Sequence, residues 1–304
     1  MAIRFAVAGT GHWARSVHVP GLLAVSGVEL IGVWGRGAEA TRTIASAHGI
    51  AAFERFDDML DAVDAVSFAV PPDVQATLAP QAASAGKHLL LEKPVARSSA
   101  AAADIANAAA AANVCTLVFF LRRFVAAIET AVQEAAGHRW RHAWARAHHA
   151  TLSTNSPYAG SVWRQESGAA LWDVGPHALS LLLPVLGPVR EVVAQPPEAN
   201  RLTRFTTVHE SGASAGVSVT LHAHPAEELI DYRFESATQS RSLPSPVLDR
   251  TGAFTVAAGE LVQNIIARRP AHRCDVHFGA EIVRVLEAVE RSRDAGRPIT
   301  LAAA

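Results

Sequence analysis

The chain has 304 residues, half of them apolar and 18% charged, a balance that fits a packed globular protein and excludes a disordered or fibrous one. Its formal net charge is −1 and its Lys and Arg residues are dispersed, so nothing favours nucleic acid or an anionic membrane as partner. Cys115 and Cys274 are far apart and have no CxxC-type neighbour, which excludes a sequence-local metal site and fits reduced thiols in a cytoplasmic protein.

In chain order, short apolar runs come first: Ile3 to Ala8, Val28 to Trp34, Ala65 to Val70, His88 to Leu91 and Val114 to Phe119. Each is nearly continuous in apolar character, as expected of strands buried on both faces. Between them lie Ala-rich stretches, about 12–25, 37–48, 73–85 and 98–112, that favour helix. Gly27, Gly49, Gly86 and Asn113 stand where those helices should end. The alternation implies a parallel, doubly wound α/β Rossmann domain over residues 1–121.

The pattern then changes, and residues 122–304 read as a second, α+β domain with a mostly antiparallel open sheet. A helix is expected over about 124–136, a strand over 139–151 and a loop over 153–168. A helix from about 175 should stop at Gly187-Pro188. Strand-like runs follow from Val189 to Phe234, with turns at Pro196-Pro197, Ser211-Gly212 and Pro225. Residues 236–252 read as a mobile or irregular loop, and an amphipathic helix over about 276–294 closes the chain. The N-terminal apolar run is too short for a signal peptide, and no stretch is expected to reach the roughly 18–20 apolar residues of a membrane helix.

Gly9-Thr10-Gly11-His12-Trp13-Ala14 follows the first strand and opens a helix in the pattern GxGxxA. The first glycine permits a tight turn, the second lets a pyrophosphate approach the backbone, and Ala14 lets helix and strand pack closely. The second strand ends in Val33-Trp34-Gly35-Arg36, without the carboxylate that usually accepts from the ribose 2′-hydroxyl of NAD. Arg36 can fork onto a 2′-phosphate, so the reading leans to NADP, with NAD as the alternative.

Glu92-Lys93-Pro94 stands at the carboxyl end of the strand His88 to Leu91, where ligands bind in such sheets, and Pro94 permits a cis bond. Further on, Asp173-Val174-Gly175-Pro176-His177 opens a helix, and the spacing of four brings Asp173 and His177 near one another. A histidine in a first turn feels the positive end of the helix dipole, which favours the neutral base. Asp173 reads equally well as the helix cap, and His177 as a packed histidine.

These residues sit in a set of ordered stretches: AVAGTGHWA, FAVPPDVQA, GKHLLLEKPVA, FLRRF, SVWRQ, SGAALWDVGPHAL and AGRPITL. In that order they resemble the glucose-fructose oxidoreductase/inositol dehydrogenase (Gfo/Idh/MocA) family. The resemblance implies an NAD(P)-dependent oxidoreductase acting on a secondary alcohol or carbonyl of a sugar, polyol or similar cyclic compound. It implies His177 as general acid/base, Lys93 on the reacting oxygen and biasing its proton, and Asp173 holding substrate hydroxyls or orienting the other two. Pro71 and Glu92 would border the cofactor, and Trp163 and Arg164 would reach cofactor or substrate. An exposed sheet face implies a homodimer or homotetramer. Gln75 departs from the histidine many members carry after the double proline. Trp163, Trp172, His148 and His149 would suit a ring-shaped, hydroxylated substrate. Two alternatives stay open: a glycosidase- or epimerase-like enzyme with no net redox change, and a non-catalytic dinucleotide-binding regulator.

Overall fold

The apolar runs of the N-terminal region become strands buried on both faces. The structure, a computed structural model, describes residues 2–153, 156–196 and 201–302. Its first sheet holds β1 (Ile3–Ala8), β2 (Val28–Trp34), β3 (Ala51–Phe53), β4 (Ala65–Phe68), β5 (His88–Leu91) and β6 (Thr116–Val118). All pairings are parallel, in the order β3-β2-β1-β4-β5-β6, the doubly wound order of dinucleotide-binding sheets. The order reverses between β1 and β4, so ligands are expected outside the carboxyl end of β1.

A π-turn (Ala14–His18) leads into α1 (Val19–Leu23), and α2 (Ala38–His48), α3 (Phe56–Ala62), α4 (Pro72–Ser84) and α5 (Ser99–Ala111) alternate with the strands. Gly27, Gly49, Gly86 and Asn113 all adopt positive φ at the expected helix ends. Ser98 caps α5 by accepting from the Ala101 N–H at 3.2 Å. Pro20 stands in the first turn of α1, where its missing N–H is tolerated, and it offers no donor to the carbonyl of Ser16. That carbonyl accepts from the Thr251 hydroxyl at 3.1 Å instead.

The chain forms two compact units, Met1–Phe124 with Leu248–Glu281, and Val125–Val247 with Ile282–Ala304. A single boundary after residue 121 was expected; the chain instead returns to the first unit. The cause is an additional helix, Arg250–Ile266, capped by Asp249, whose carboxylate accepts from the Gly252 N–H at 2.9 Å. Its fully buried Phe254 packs on the His18 ring, with centroids 4.3 Å apart, and closely against Gly21.

The second unit contains α6 (Ala126–Ala136), β7 (His142–His148), α7 (Val162–Gln165), α8 (Ala169–Leu186), β8 (Val189–Ala194), β9 (Thr203–His209), β10 (Ser214–Thr220), β11 (Leu229–Glu235), β12 (Ser240–Ser242) and β13 (Ile299–Thr300). The order is β12-β11-β7-β10-β9-β8-β13; only the β7–β10 pair is parallel among the pairings of this sheet's described residues. Alternation along β7 is clean: Ala143, Ala145 and Ala147 are buried while Trp144 and Arg146 face outward. The small inward residues let α8 lie against β7 and β10. The 236–252 segment is more regular than expected, since it contains β12 and the start of the additional helix at Arg250. Of the expected turn at Pro196-Pro197, Pro197 lies outside the described residues, as do two positions of the 153–168 loop.

Helix α8 begins six residues earlier than the sequence pattern placed it, and it corrects a second expectation. By length and apolarity it is sufficient to cross a membrane, with a mean hydropathy of 1.4 over 18 residues. Within the second unit every residue of α8 except His177 and Pro184 is buried. Its apolar surface on all sides is that of a core helix.

Candidate functional site

The loop Gly9–Ala14 is shaped from both sides by the first sheet. Gly9 has φ +133°, and a Cβ there would overlap the carbonyl of Ala69 beyond β4, so the position admits only glycine. Its N–H donates to the Trp34 carbonyl at 2.8 Å, which ties the loop to the end of β2. Gly35 packs against Thr10, where a Cβ would come within 2.6 Å of the threonine methyl. Gly11 differs: a Cβ there would meet nothing within 4 Å. Protein packing therefore does not require glycine at position 11, and the space beside it leaves the backbone open to a ligand. His12 and Trp13 form the first helical turn, whose backbone N–H groups make an anion site at the carboxyl end of β1. These residues fit a dinucleotide pyrophosphate. Arg36 is exposed just past β2, and Pro71 precedes α4 as its cap residue.

Lys93 follows β5, half-buried, and its bond to Pro94 is cis. Five side chains build its support. The Glu92 carboxylate accepts from the Trp13 indole N–H at 2.6 Å and from the Lys93 backbone N–H at 3.1 Å. His18 Nε2 lies 3.2 Å from the same carboxylate, and its Nδ1 lies 2.8 Å from the Ser67 hydroxyl. Gln75 grips the backbone: its Oε1 accepts from the Glu92 N–H at 2.8 Å, and its Nε2 donates to the Glu92 carbonyl at 2.8 Å and toward the carbonyls of Pro94 and Val95. His18, Ser67 and Gln75 are fully buried. The departure at Gln75 thus does not leave a gap, because the amide can donate and accept at once. His18 and Ser67 are absent from the sequence-derived set. The available signal was position: His18 lies four residues after Ala14, on the face that packs on the sheet.

Asp173, His177, Trp163 and Arg164 belong to the second unit. Asp173 is not a helix cap. The cap position of α8 is Gly168, at φ +82°, and Asp173 is the fifth helical residue. It pairs instead with Arg164, whose Nε lies 2.7 Å and NH2 3.4 Å from the two carboxylate oxygens. The guanidinium is stacked on the rings of Trp163 (4.4 Å) and Tyr158 (4.6 Å). His177 is the ninth residue of α8, more than two turns in. The dipole acts over the first turn, so the expected dipole support for a neutral His177 does not apply. Gly175 is explained by packing, since a Cβ there would come within 2.8 Å of Leu286.

The aromatic and histidine set divides. Trp172 is 1% exposed and donates to Glu290 at 2.9 Å, so it is a core residue and not a stacking surface. Trp163 is half-exposed. His148 pairs with the Ser218 hydroxyl at 2.7 Å; burial, then Arg146 and Arg204, lower its pKa. His149 lies 4.0 Å from Glu228. Among the described residues no cluster of metal-binding side chains occurs.

Residues 3–120 match the GFO_IDH_MocA family model, described as an oxidoreductase family with an NAD-binding Rossmann fold. Galactose 1-dehydrogenase from Pseudomonas fluorescens is 27% identical over 191 residues, covering 60% of this chain and 57% of that enzyme. An oxidoreductase domain protein from Kribbella flavida superposes with a TM-score of 0.88 at 22% identity, covering 100% of both chains. Levoglucosan dehydrogenase, solved with NADH and levoglucosan, gives a TM-score of 0.83 at 18% identity, again over 100% of both. At such identities the two structures establish the fold. The chain spans less than two thirds of the length of the first curated relatives it matches. Residues 3–120 are thus similar to the GFO_IDH_MocA oxidoreductase family, and their parallel sheet has the strand order of its NAD-binding Rossmann fold.

Proposed function

We propose that the protein is an NAD(P)-dependent oxidoreductase acting on a secondary alcohol or carbonyl of a sugar, polyol or similar cyclic compound. The observation that carries the reading is the Gly9–Ala14 turn: it leaves β1 at the switch point of the sheet, and Gly11 leaves room there for a pyrophosphate to approach the backbone. The names of two relatives, galactose 1-dehydrogenase and levoglucosan dehydrogenase, point to sugar substrates for those proteins and support the same class here. When bound, the nicotinamide supplies a hydride acceptor or donor. His177 takes the hydroxyl proton during oxidation and returns it during reduction. Lys93 donates a hydrogen bond to the reacting oxygen, and Asp173, oriented by Arg164, accepts from substrate hydroxyls. Arg36 supports NADP over NAD. Trp144, 45% exposed on the outer face of the second sheet, supports contact between copies of the chain there.

The test is a panel of sugars, polyols and their ketones, with NAD(H) and NADP(H), followed at the nicotinamide absorbance band. Net reduction or oxidation that Lys93→Ala abolishes supports the reading. Turnover with no net absorbance change favours the redox-neutral alternative, and activity unchanged in Lys93→Ala overturns the role of Lys93. Arg36→Ala raises the KM for NADPH far more than for NADH if the 2′-phosphate is recognised; equal effects overturn the NADP preference.

A further inference from the structure

The Glu92 carboxylate joins two segments that have separate tasks. Trp13, its 2.6 Å donor, lies in the first turn after the Gly9–Gly11 loop, and Lys93, its backbone donor at 3.1 Å, begins the segment beyond β5. His18 supplies a third contact at 3.2 Å and is itself held by Ser67 at 2.8 Å. The Glu92 side chain is only 12% exposed. Burying a charge costs more than burying an amide, and a neutral group could staple two loops together. Stapling is also already provided, because Gln75 bonds both the N–H and the carbonyl of Glu92 at 2.8 Å. What an anion adds is acceptance on both oxygens at once, which an amide cannot offer.

We propose that Glu92 is a positioning residue that couples the dinucleotide loop to the Lys93 segment, with Trp13 as the link and His18 as the side-chain brace. Occupation of the loop fixes Trp13; Trp13 fixes the carboxylate; the carboxylate fixes the Lys93 N–H. The proposal rests on the reading of the first unit as dinucleotide-binding. Glu92→Gln places an NH2 group against a donor at one end, and Trp13→Phe removes the link while leaving the Glu92–Lys93 bond intact.

The test is amide hydrogen exchange of residues 92–96 with and without saturating NADH or NADPH, with affinities measured separately by calorimetry. In the unaltered protein, dinucleotide slows exchange of this segment about tenfold. In Trp13→Phe and Glu92→Gln, each held at a dinucleotide concentration that saturates it by its own measured affinity, the slowing falls to less than about twofold. Equal slowing in the unaltered protein and Trp13→Phe overturns the coupling while the cofactor reading stands. Absence of any dinucleotide binding by the unaltered protein removes the cofactor reading and this inference together. If Glu92→Gln does not fold, Trp13→Phe alone decides.

Discussion

Arg164 holds Asp173 in a forked ion pair, at 2.7 Å and 3.4 Å, with the two side chains only 18% and 8% exposed. Four residues further along the same helix stands His177. The bond fixes the carboxylate toward α7, so the Asp173 side chain has a set orientation and is not a free rotor.

Arg164→Met removes the guanidinium from this buried carboxylate. Removing one partner of a buried pair costs about 3 kcal/mol or more. The urea midpoint is expected to fall accordingly, and Arg164→Met combined with Asp173→Asn should recover most of the loss. An unchanged midpoint in the single variant would show that the pair is not formed in solution.

Gly9 and Gly11 separate packing from ligand recognition. Gly9→Ala meets the Ala69 carbonyl at a φ of +133° and should lose about 2 kcal/mol of stability. Gly11→Ala meets nothing within 4 Å and should keep its stability within about 0.5 kcal/mol. Its affinity for NADH or NADPH should fall about tenfold, some 1.4 kcal/mol. Calorimetric titration with thermal melts of both variants checks the contrast; a Gly11→Ala protein that binds normally removes the pyrophosphate assignment.

The first unit was legible because its signals are local. β1, β2 and β5 fall on the residues their apolar runs mark, and Gly9, Gly11 and Glu92-Lys93-Pro94 sit at strand ends. β3 and α3 gave no such signal, since β3 has three residues at an edge and none is buried. In the second unit, Pro176 and Asp173 mimic a helix start, and the true start at Gly168 is marked only by a glycine inside a polar run. The supports of Lys93 are long-range: His18, Ser67 and Gln75 are brought to Glu92 by the sheet, and apart from the place of His18 four residues after Ala14, residue spacing carries no trace of it.

Stability should fall on mild acidification. His209 is fully buried, with Nδ1 2.7 Å from the Gly187 carbonyl and Nε2 2.9 Å from the Thr207 hydroxyl. A carbonyl only accepts, so Nδ1 carries the hydrogen and the neutral ring accepts from Thr207. Burial pushes the His209 pKa below 6.5, with the Gly187 carbonyl pulling partly upward. His88 is lowered by burial against an opposing pull from Asp64, and its Nδ1 accepts from the Cys115 N–H at 2.9 Å. Above 6.5 the ring is neutral folded or unfolded, and no penalty arises. As pH falls from that value through the folded pKa, the unfolded chain takes up protons first, and stability is lost. Urea midpoints between about pH 7.5 and pH 5 should drop, and the slope should be shallower in His88→Asn with His209→Gln. Equal slopes would exclude these two residues as the cause.

Trp172 supplies a prediction that separates core from site. Its indole N–H donates to Glu290 at 2.9 Å, and its ring is 1% exposed. Trp172→Phe keeps most of the apolar contact but removes a hydrogen bond to a carboxylate, worth about 2 kcal/mol. The melting temperature should fall, while the KM for any sugar or polyol found to turn over stays within about twofold, since a two-fold change is only a few tenths of a kcal/mol. Trp163 behaves oppositely: it is half-exposed and stacks on Arg164, whose fork orients Asp173. Trp163→Ala should leave the melting temperature nearly unchanged and lower kcat/KM, because a surface stacking partner contributes little to stability and much to the orientation of the pair it covers. Measured side by side, a KM change confined to Trp172→Phe would reverse the assignment and return the substrate face to the buried ring.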